Sequence, residues 1–253
     1  MEKNPSTAVW DKFWAGKESA SIYPPVTDIV DELSKITNLS NKKILEVGAG
    51  TGRDGLKLSQ LGNDVYLLDY SRESLRLVSS SVSSPNVKLI LADGQKCPFN
   101  DNTFDIVFHQ GLLEHFSSPY RLLSENLRIL KKGGFLVVDV PQTFHIYTVF
   151  KHILIFFDMW FGGWERQFTR TSLMRLLKWF GFRPIHFYGD WSRPGILYKI
   201  VRELLKKVKI RLPMYPKFLG LATEKFYRLQ EHLRKKKLFL YTVLSIGVIA
   251  QKY

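Results

Sequence analysis

The chain has one cysteine, Cys97, in 253 residues. An intramolecular disulfide and a cysteine-built metal cluster are therefore excluded, a reducing cytoplasm suits this usage, and no metal site is read from the sequence. The opening MEKNPSTAVWDKFW has no apolar core of the kind a secretory signal needs. No clean membrane span is found. The most apolar stretch, 143–164, is broken by Lys151, His152 and Asp158. Repeats and low-complexity linkers are also missing, so the reading is one domain. Its core covers 22–142, 169–190 and 238–253, with insertions at 143–168 and 191–237.

Acids are scarce in the second part of the chain. Up to Gln142 there are 16 Lys+Arg against 17 Asp+Glu; from Thr143 on there are 21 against 6, so the whole net charge of +14 lies in the last 111 residues. Such asymmetry points to an anionic partner or to a solvated basic surface. From Arg193 to Lys237 the count is 14 cations against 3 acids. Within that stretch Ile196, Ile200, Leu204, Val208 and Leu212 recur every four residues, the pattern of an amphipathic helix that lies on an anionic membrane or packs on the sheet domain.

What is present is an alternation of strand and helix patterns. Val26, Ile29, Val30, Leu33 and Ile36 predict a helix ahead of a first strand at 44–47. Further strands are expected at 64–71, 86–93, 103–111 and 135–140. Ser71 should cap the helix carrying Leu75, Val78 and Val82. A helix with Leu123, Leu127 and Leu130 should stop at Lys131-Lys132-Gly-Gly, with cations in its last turn. Residues 169–182 read as a capped helix, 183–190 as a sixth strand, and the end of the chain as a last strand. Such alternation implies an α/β fold with a parallel sheet of right-handed crossovers, whose ligands bind beyond the carboxyl ends of the strands. Those ends carry Gly48, Asp69, Asp93 and Gln110.

The stretch ILEVGAGTGRDGLKL, 44–58, puts glycines at 48, 50, 52 and 55 between strand and helix. It fits G-x-G-x-x-G from Gly50 and G-x-G-x-G from Gly48, so the glycines alone do not choose the ligand. A pyrophosphate wants its motif directly after the strand, and Glu46 would repel it. A ligand with an ammonium, a sulfonium and an adenosine tolerates Glu46. It finds a ribose acceptor in Asp69 and an adenine acceptor in Asp93, beside Gly94. Glu46 could equally tie loop N–H groups, and Gly55 reads as a helix-packing glycine.

These segments, with VYLLDYS, LADGQKCPFNDNTFDIVFHQGLLEHF and LRILKKGGFLVVDVP, resemble the successive motifs of class I S-adenosylmethionine-dependent methyltransferases, in the small-molecule group. The likeness is close over about 40–141 and looser beyond. It implies a Rossmann-like, seven-stranded, mostly parallel sheet with helices on both faces and an antiparallel last strand. It implies S-adenosylmethionine as cofactor. Carried over, Gly48, Gly50 and Gly52 would line the methionine part, Asp69 with Tyr70 the ribose, Asp93 and Gly94 the adenine, and Gln110 the methyl end.

His115 and His109 are the candidate catalytic bases, since a histidine can take a hydroxyl proton near neutral pH; either could instead only tie a loop. His145 and Glu165 are candidates by location. Trp10, Phe13 and Trp14 read as packing on the sheet edge, with a cover over the cofactor pocket as the alternative, and Tyr23 could reach the same pocket. The expected activity is methyl transfer to O or N of a small molecule, lipid-linked or a glycan or quinone precursor. A cofactor-binding regulatory subunit and an RNA methyltransferase stand as alternatives, although no RNA-binding module stands out. The expected place is the cytoplasm, with peripheral membrane contact through 193–237.

Overall fold

Seven strands make one sheet in which, numbered along the chain, the third, second, first, fourth, fifth, seventh and sixth lie side by side. A computed structural model describes residues 6–17, 29–159, 164–191, 194–195, 198–199, 201–202, 205, 209–213, 220–233 and 236–253. The strands are β1 Lys43–Val47, β2 Asp64–Asp69, β3 Val87–Leu91, β4 Phe104–Gln110, β5 Leu130–Pro141, β6 Phe182–Asp190 and β7 Ser245–Lys252. β1 to β5 pair in parallel, while β7 lies antiparallel between β5 and β6. The expected α/β sheet with a reversed last strand is therefore what forms.

The helices are α1 Thr7–Trp14, α2 Ile29–Ser34, α3 Arg53–Ser59, α4 Arg72–Ser79, α5 Tyr120–Ile129, α6 Ile146–Phe156 and α7 Arg170–Trp179, with a later helix at Gly220–Leu233. Side chains alternate across the pleat, so the central strands feed two cores. On one face Ile44, Val65, Leu67 and Ile106 meet Leu33 of α2, Leu58 of α3 and Val78 of α4. On the other, Leu45, Val107, Leu136 and Val248 meet Leu123 of α5 and Leu173 of α7.

Local signals mostly hold. The Ser71 side chain accepts from Ser74 N at the start of α4, and Thr169 forms a capping box with Ser172 on α7. The end of α5 differs from expectation. Leu130 already belongs to β5, and Lys131 pairs with Asp105 rather than capping the helix. Besides Arg128 of the last turn, that helix end has Lys252, brought by β7, whose Nζ donates to the carbonyls of Leu127 and Leu130 at 2.7 Å each. β3 stops at Leu91, which leaves Asp93 in the following turn. Tyr23 and Val26 lie outside the described residues, as do Ile196, Ile200, Leu204 and Val208 of the expected amphipathic helix. Among the described residues no helix is long and apolar enough to cross a membrane.

Candidate active site

The glycine loop leaves β1 in a left-handed path. Gly48, Gly50 and Gly52 have φ of +67°, +54° and +64°, values that side chains with a Cβ rarely adopt. The turn is held from β2: Gly48 N and Ala49 N both donate to the Leu68 carbonyl, at 2.8 and 3.0 Å. Gly50 N donates to Asp69 Oδ2 at 3.0 Å, and Ser74 Oγ donates to the same oxygen at 2.8 Å. Ser71 N donates to Asp69 Oδ1 at 2.9 Å. Burial pushes the Asp69 carboxyl up, and these hydrogen bonds pull it back. Asp69 is thus both a loop tie and a strand-end acid.

Glu46 is buried, and its Oε2 accepts from Gly55 N at 3.0 Å. Burial, and then the neighbouring Asp54, hold its carboxyl well above the usual range. A Cβ on Gly55 would stand 2.4 Å from Leu67 Cδ2, so that glycine is needed for helix-on-sheet packing.

The loop opens onto a cleft of about 450 Å³. Of the residues anticipated from sequence, Glu46, Gly48, Gly50, Asp69, Tyr70, Asp93, Gly94, Gln110 and His115 line it. Gly52 lies behind the lining and starts α3. Tyr70 beside Asp69 has its phenol raised by burial and by that carboxylate. Asp93 Oδ1 accepts from Gln95 N at 2.8 Å, the bond of a turn. His145 caps α6 through Nδ1, accepting from Tyr147 N at 3.2 Å.

The two histidines part company. His115, in a 3-10 turn Leu113–His115 after β4, lines the cleft and stands edge-on to Trp10 with ring centroids 4.9 Å apart. Burial pushes it down to about 4, so its ring is neutral at pH 7. His109 shares the Val107 side of β4 by strand alternation. It is fully buried, is pushed down to about 3 by that burial, and is not part of the cleft wall. The structure does not bring it to the others.

Sequence reading missed part of this wall. Trp10 and Trp14 line the cleft, so of the two readings of these aromatics it is the cover over the pocket, not edge packing alone, that the structure has. α1 is fastened over the loop by Asp11, whose Oδ1 accepts from Ser71 Oγ at 2.6 Å and Glu73 N at 3.3 Å. Asp139, at the carboxyl end of β5, also lines the cleft and accepts from Ser245 Oγ. Its place at a strand end was the available signal. Tyr147 of α6 and Leu244 complete the far wall. Behind His115 lie buried Glu114, pushed up to about 8 by burial and then by Glu165, and the buried Lys151–Glu165 ion pair.

The donor set suits S-adenosylmethionine. Gly48 and Gly50 bring left-handed backbone to the cleft wall without a Cβ, and Asp69 ends the neighbouring strand. Residues 45–138 match the family model of a methyltransferase domain. The chain is 36% identical over 97 residues to a demethylmenaquinone methyltransferase of Renibacterium salmoninarum, covering 38% of this chain and 40% of that one. It is 37% identical to a malonyl-[acyl-carrier protein] O-methyltransferase of Buchnera aphidicola, covering 42% of each. The chain thus spans about two fifths of the length of these curated relatives. A putative methyltransferase from Bacillus halodurans has the same fold, with a TM-score of 0.62 at 19% identity over 89% of this chain and 99% of that one. Motifs, sheet order and family match agree: residues 45–138 are similar to a methyltransferase domain, and the sheet built around them has the fold of solved methyltransferases.

Proposed function

We propose that the protein moves a methyl group from S-adenosylmethionine to an O or N atom of a small, lipid-linked acceptor of the quinone-precursor kind. The observation that carries this reading is the cleft itself. Its wall holds the polar glycine loop with Asp69 and Tyr70, and also the apolar or aromatic Trp10, Phe116, Tyr147 and Leu244 beside His115. Such a mixed lining suits a polar cofactor together with an acceptor that carries apolar surface. The match to a demethylmenaquinone methyltransferase supports the same acceptor class.

In this reading Gly48 and Gly50 lie along the methionine part of the cofactor, and Gly52 shapes the turn behind them. Asp69 with Tyr70 takes the ribose, Asp93 and Gly94 flank the adenine, and Gln110 lies toward the methyl end. Glu46 sits near the ammonium. The bound cofactor supplies a methyl group already activated on a sulfonium. The protein's work is then alignment and exclusion of water, worth about 7–11 kcal/mol in the best intramolecular cases. His115 lines the cleft and is unprotonated at working pH, so its ring is placed to accept a hydrogen bond from an acceptor hydroxyl, although burial weakens it as a base. His109 has no part in this, since it does not reach the cleft.

Methyl transfer from labelled cofactor to a cell extract split into lipid, glycan and RNA fractions tests the proposal. Label in the lipid fraction is expected. Label only in RNA, or none with S-adenosylhomocysteine bound normally, would replace the reading with an RNA enzyme or a regulatory subunit.

A further inference from the structure

Helix α6 presents an apolar face that nothing in the described protein covers. Ile146, Val149, Phe150, Ile153, Phe156 and the following Phe157 are all exposed, Ile146 by 79% and Phe156 by 82%. Their spacing is i, i+3, i+4, i+7, i+10 and i+11. At 100° per residue this is a single outward stripe about 120° wide. The opposite side of the helix holds buried Thr148 and Lys151, and Tyr147 reaches the cleft. The helix thus buries Thr148 and Lys151 and turns its apolar stripe outward. Exposed apolar residues scattered singly need no account, but a continuous stripe does.

The stripe continues into a basic edge. Phe144, just ahead of α6, meets the ring of Tyr241 with centroids 6.5 Å apart. Tyr241 ends the 3-10 turn Lys237–Tyr241, in which Leu238 is 76% exposed, and Lys236 and Lys237 are exposed beside it. In sequence these lysines close the run Arg234-Lys-Lys-Lys237. Asp158 lies exposed past the helix end.

We infer that the outward face of α6, with the Lys236–Lys237 edge, docks on an anionic phospholipid bilayer. Aromatic and branched side chains enter the interface, and lysines meet head groups, as for an interfacial amphipathic helix. A bilayer fits better than a second copy of the chain, because two copies would each bring a net charge of +14 to the contact. Tyr147 on the same helix opens to the cleft, so docking sets that wall of the cleft beside the membrane. The purpose of this face rests on the lipid-linked acceptor proposed above; its geometry does not.

Co-sedimentation tests it, using vesicles of phosphatidylcholine alone and of phosphatidylcholine with phosphatidylglycerol. The full chain is compared with Ile153→Asp/Phe156→Asp and with Lys236→Glu/Lys237→Glu. All these sites are exposed, and unfolding temperature with S-adenosylhomocysteine affinity is measured on each protein. The expected result is binding to anionic vesicles that weakens with salt, falls about tenfold or more in the apolar variant, and falls in the charge variant on anionic vesicles only. Failure of the unaltered chain to sediment, or equal sedimentation of all three proteins, overturns docking. So does a dimer in sedimentation velocity that the apolar variant splits. Retained cofactor affinity in those cases leaves the methyl-transfer reading standing, whereas vesicle binding without methyl transfer does the reverse.

Discussion

Asp69 Oδ2 lies 3.0 Å from the backbone nitrogen of Gly50, so the acid at the end of β2 grips the tip of the glycine loop after β1. The same carboxylate also takes hydrogen bonds from Ser71 N and Ser74 Oγ. Asp69→Ala removes the acceptor of three buried or half-buried donors. Its cost should be about 1–3 kcal/mol of stability, since buried donors left unmatched pay their desolvation. Affinity for S-adenosylhomocysteine should also fall about tenfold or more, by calorimetric titration. Unchanged affinity would leave Asp69 a loop tie and nothing else.

Gly50 carries a second test. Its φ is +54°, and a Cβ there would stand 3.2 Å from Trp14 Cζ2. Gly50→Val adds branched bulk at a left-handed position under the α1 cover. Cofactor binding should disappear. If the variant binds normally, α1 and the loop cannot lie against the cofactor.

Much of this arrangement could be read from the sequence, and the rest fails for definite reasons. Strand and helix periods locate β1, β2 and β4, and the strand-end rule finds Asp69 and Gln110 because each is local to its own strand. Asp139 and Ser245 meet across 106 positions, a pairing that exists only because β7 runs backward beside β5. Trp10 and Trp14 belong to a short helix whose return to the loop depends on the Asp11–Ser71 contact. The aromatic richness of 143–164 is plain, but composition does not say which way α6 turns its rings. In sequence Lys151 only interrupts an apolar run and Glu165 is a candidate by location; that they form one buried pair shows only in the fold.

Glu114 gives a pH dependence with a definite sign. Burial and then Glu165 push its folded carboxyl up to about 8 from the ordinary 4.5. The folded state therefore holds a proton that the unfolded chain has released. The stabilisation is fully present below about 4.5 and is lost as pH rises through about 8. His115 works the other way, being lowered from 6.5 to about 4, so its share falls only as the solution is acidified through that lower window. Between pH 6.5 and 8 Glu114 should thus cost up to about 1.4 kcal/mol per pH unit. Glu114→Gln should flatten that part of the stability curve, measured by urea denaturation of the cofactor-free protein. Parallel curves for the two proteins would show that the carboxyl is already ionised when folded.

The Lys151–Glu165 pair is the last point, because it decides how α6 is held. Both groups are buried, and they bridge α6 to the segment that precedes α7. The neighbouring Arg166 N donates to the Glu114 carbonyl at 2.6 Å, which joins that segment to the turn carrying His115. Lys151→Met would leave a buried carboxylate without its cation, at a cost of about 3–5 kcal/mol. Replacing both, as Lys151→Met with Glu165→Leu, should recover most of that loss, because a buried ion pair exchanged for apolar groups is often neutral or better. The double-mutant cycle in urea separates the two outcomes. Strong coupling is expected if the pair acts as one unit that seats α6 with its apolar face outward. Additive losses would mean that each residue is held by other groups, and the orientation of α6 would then owe little to their contact.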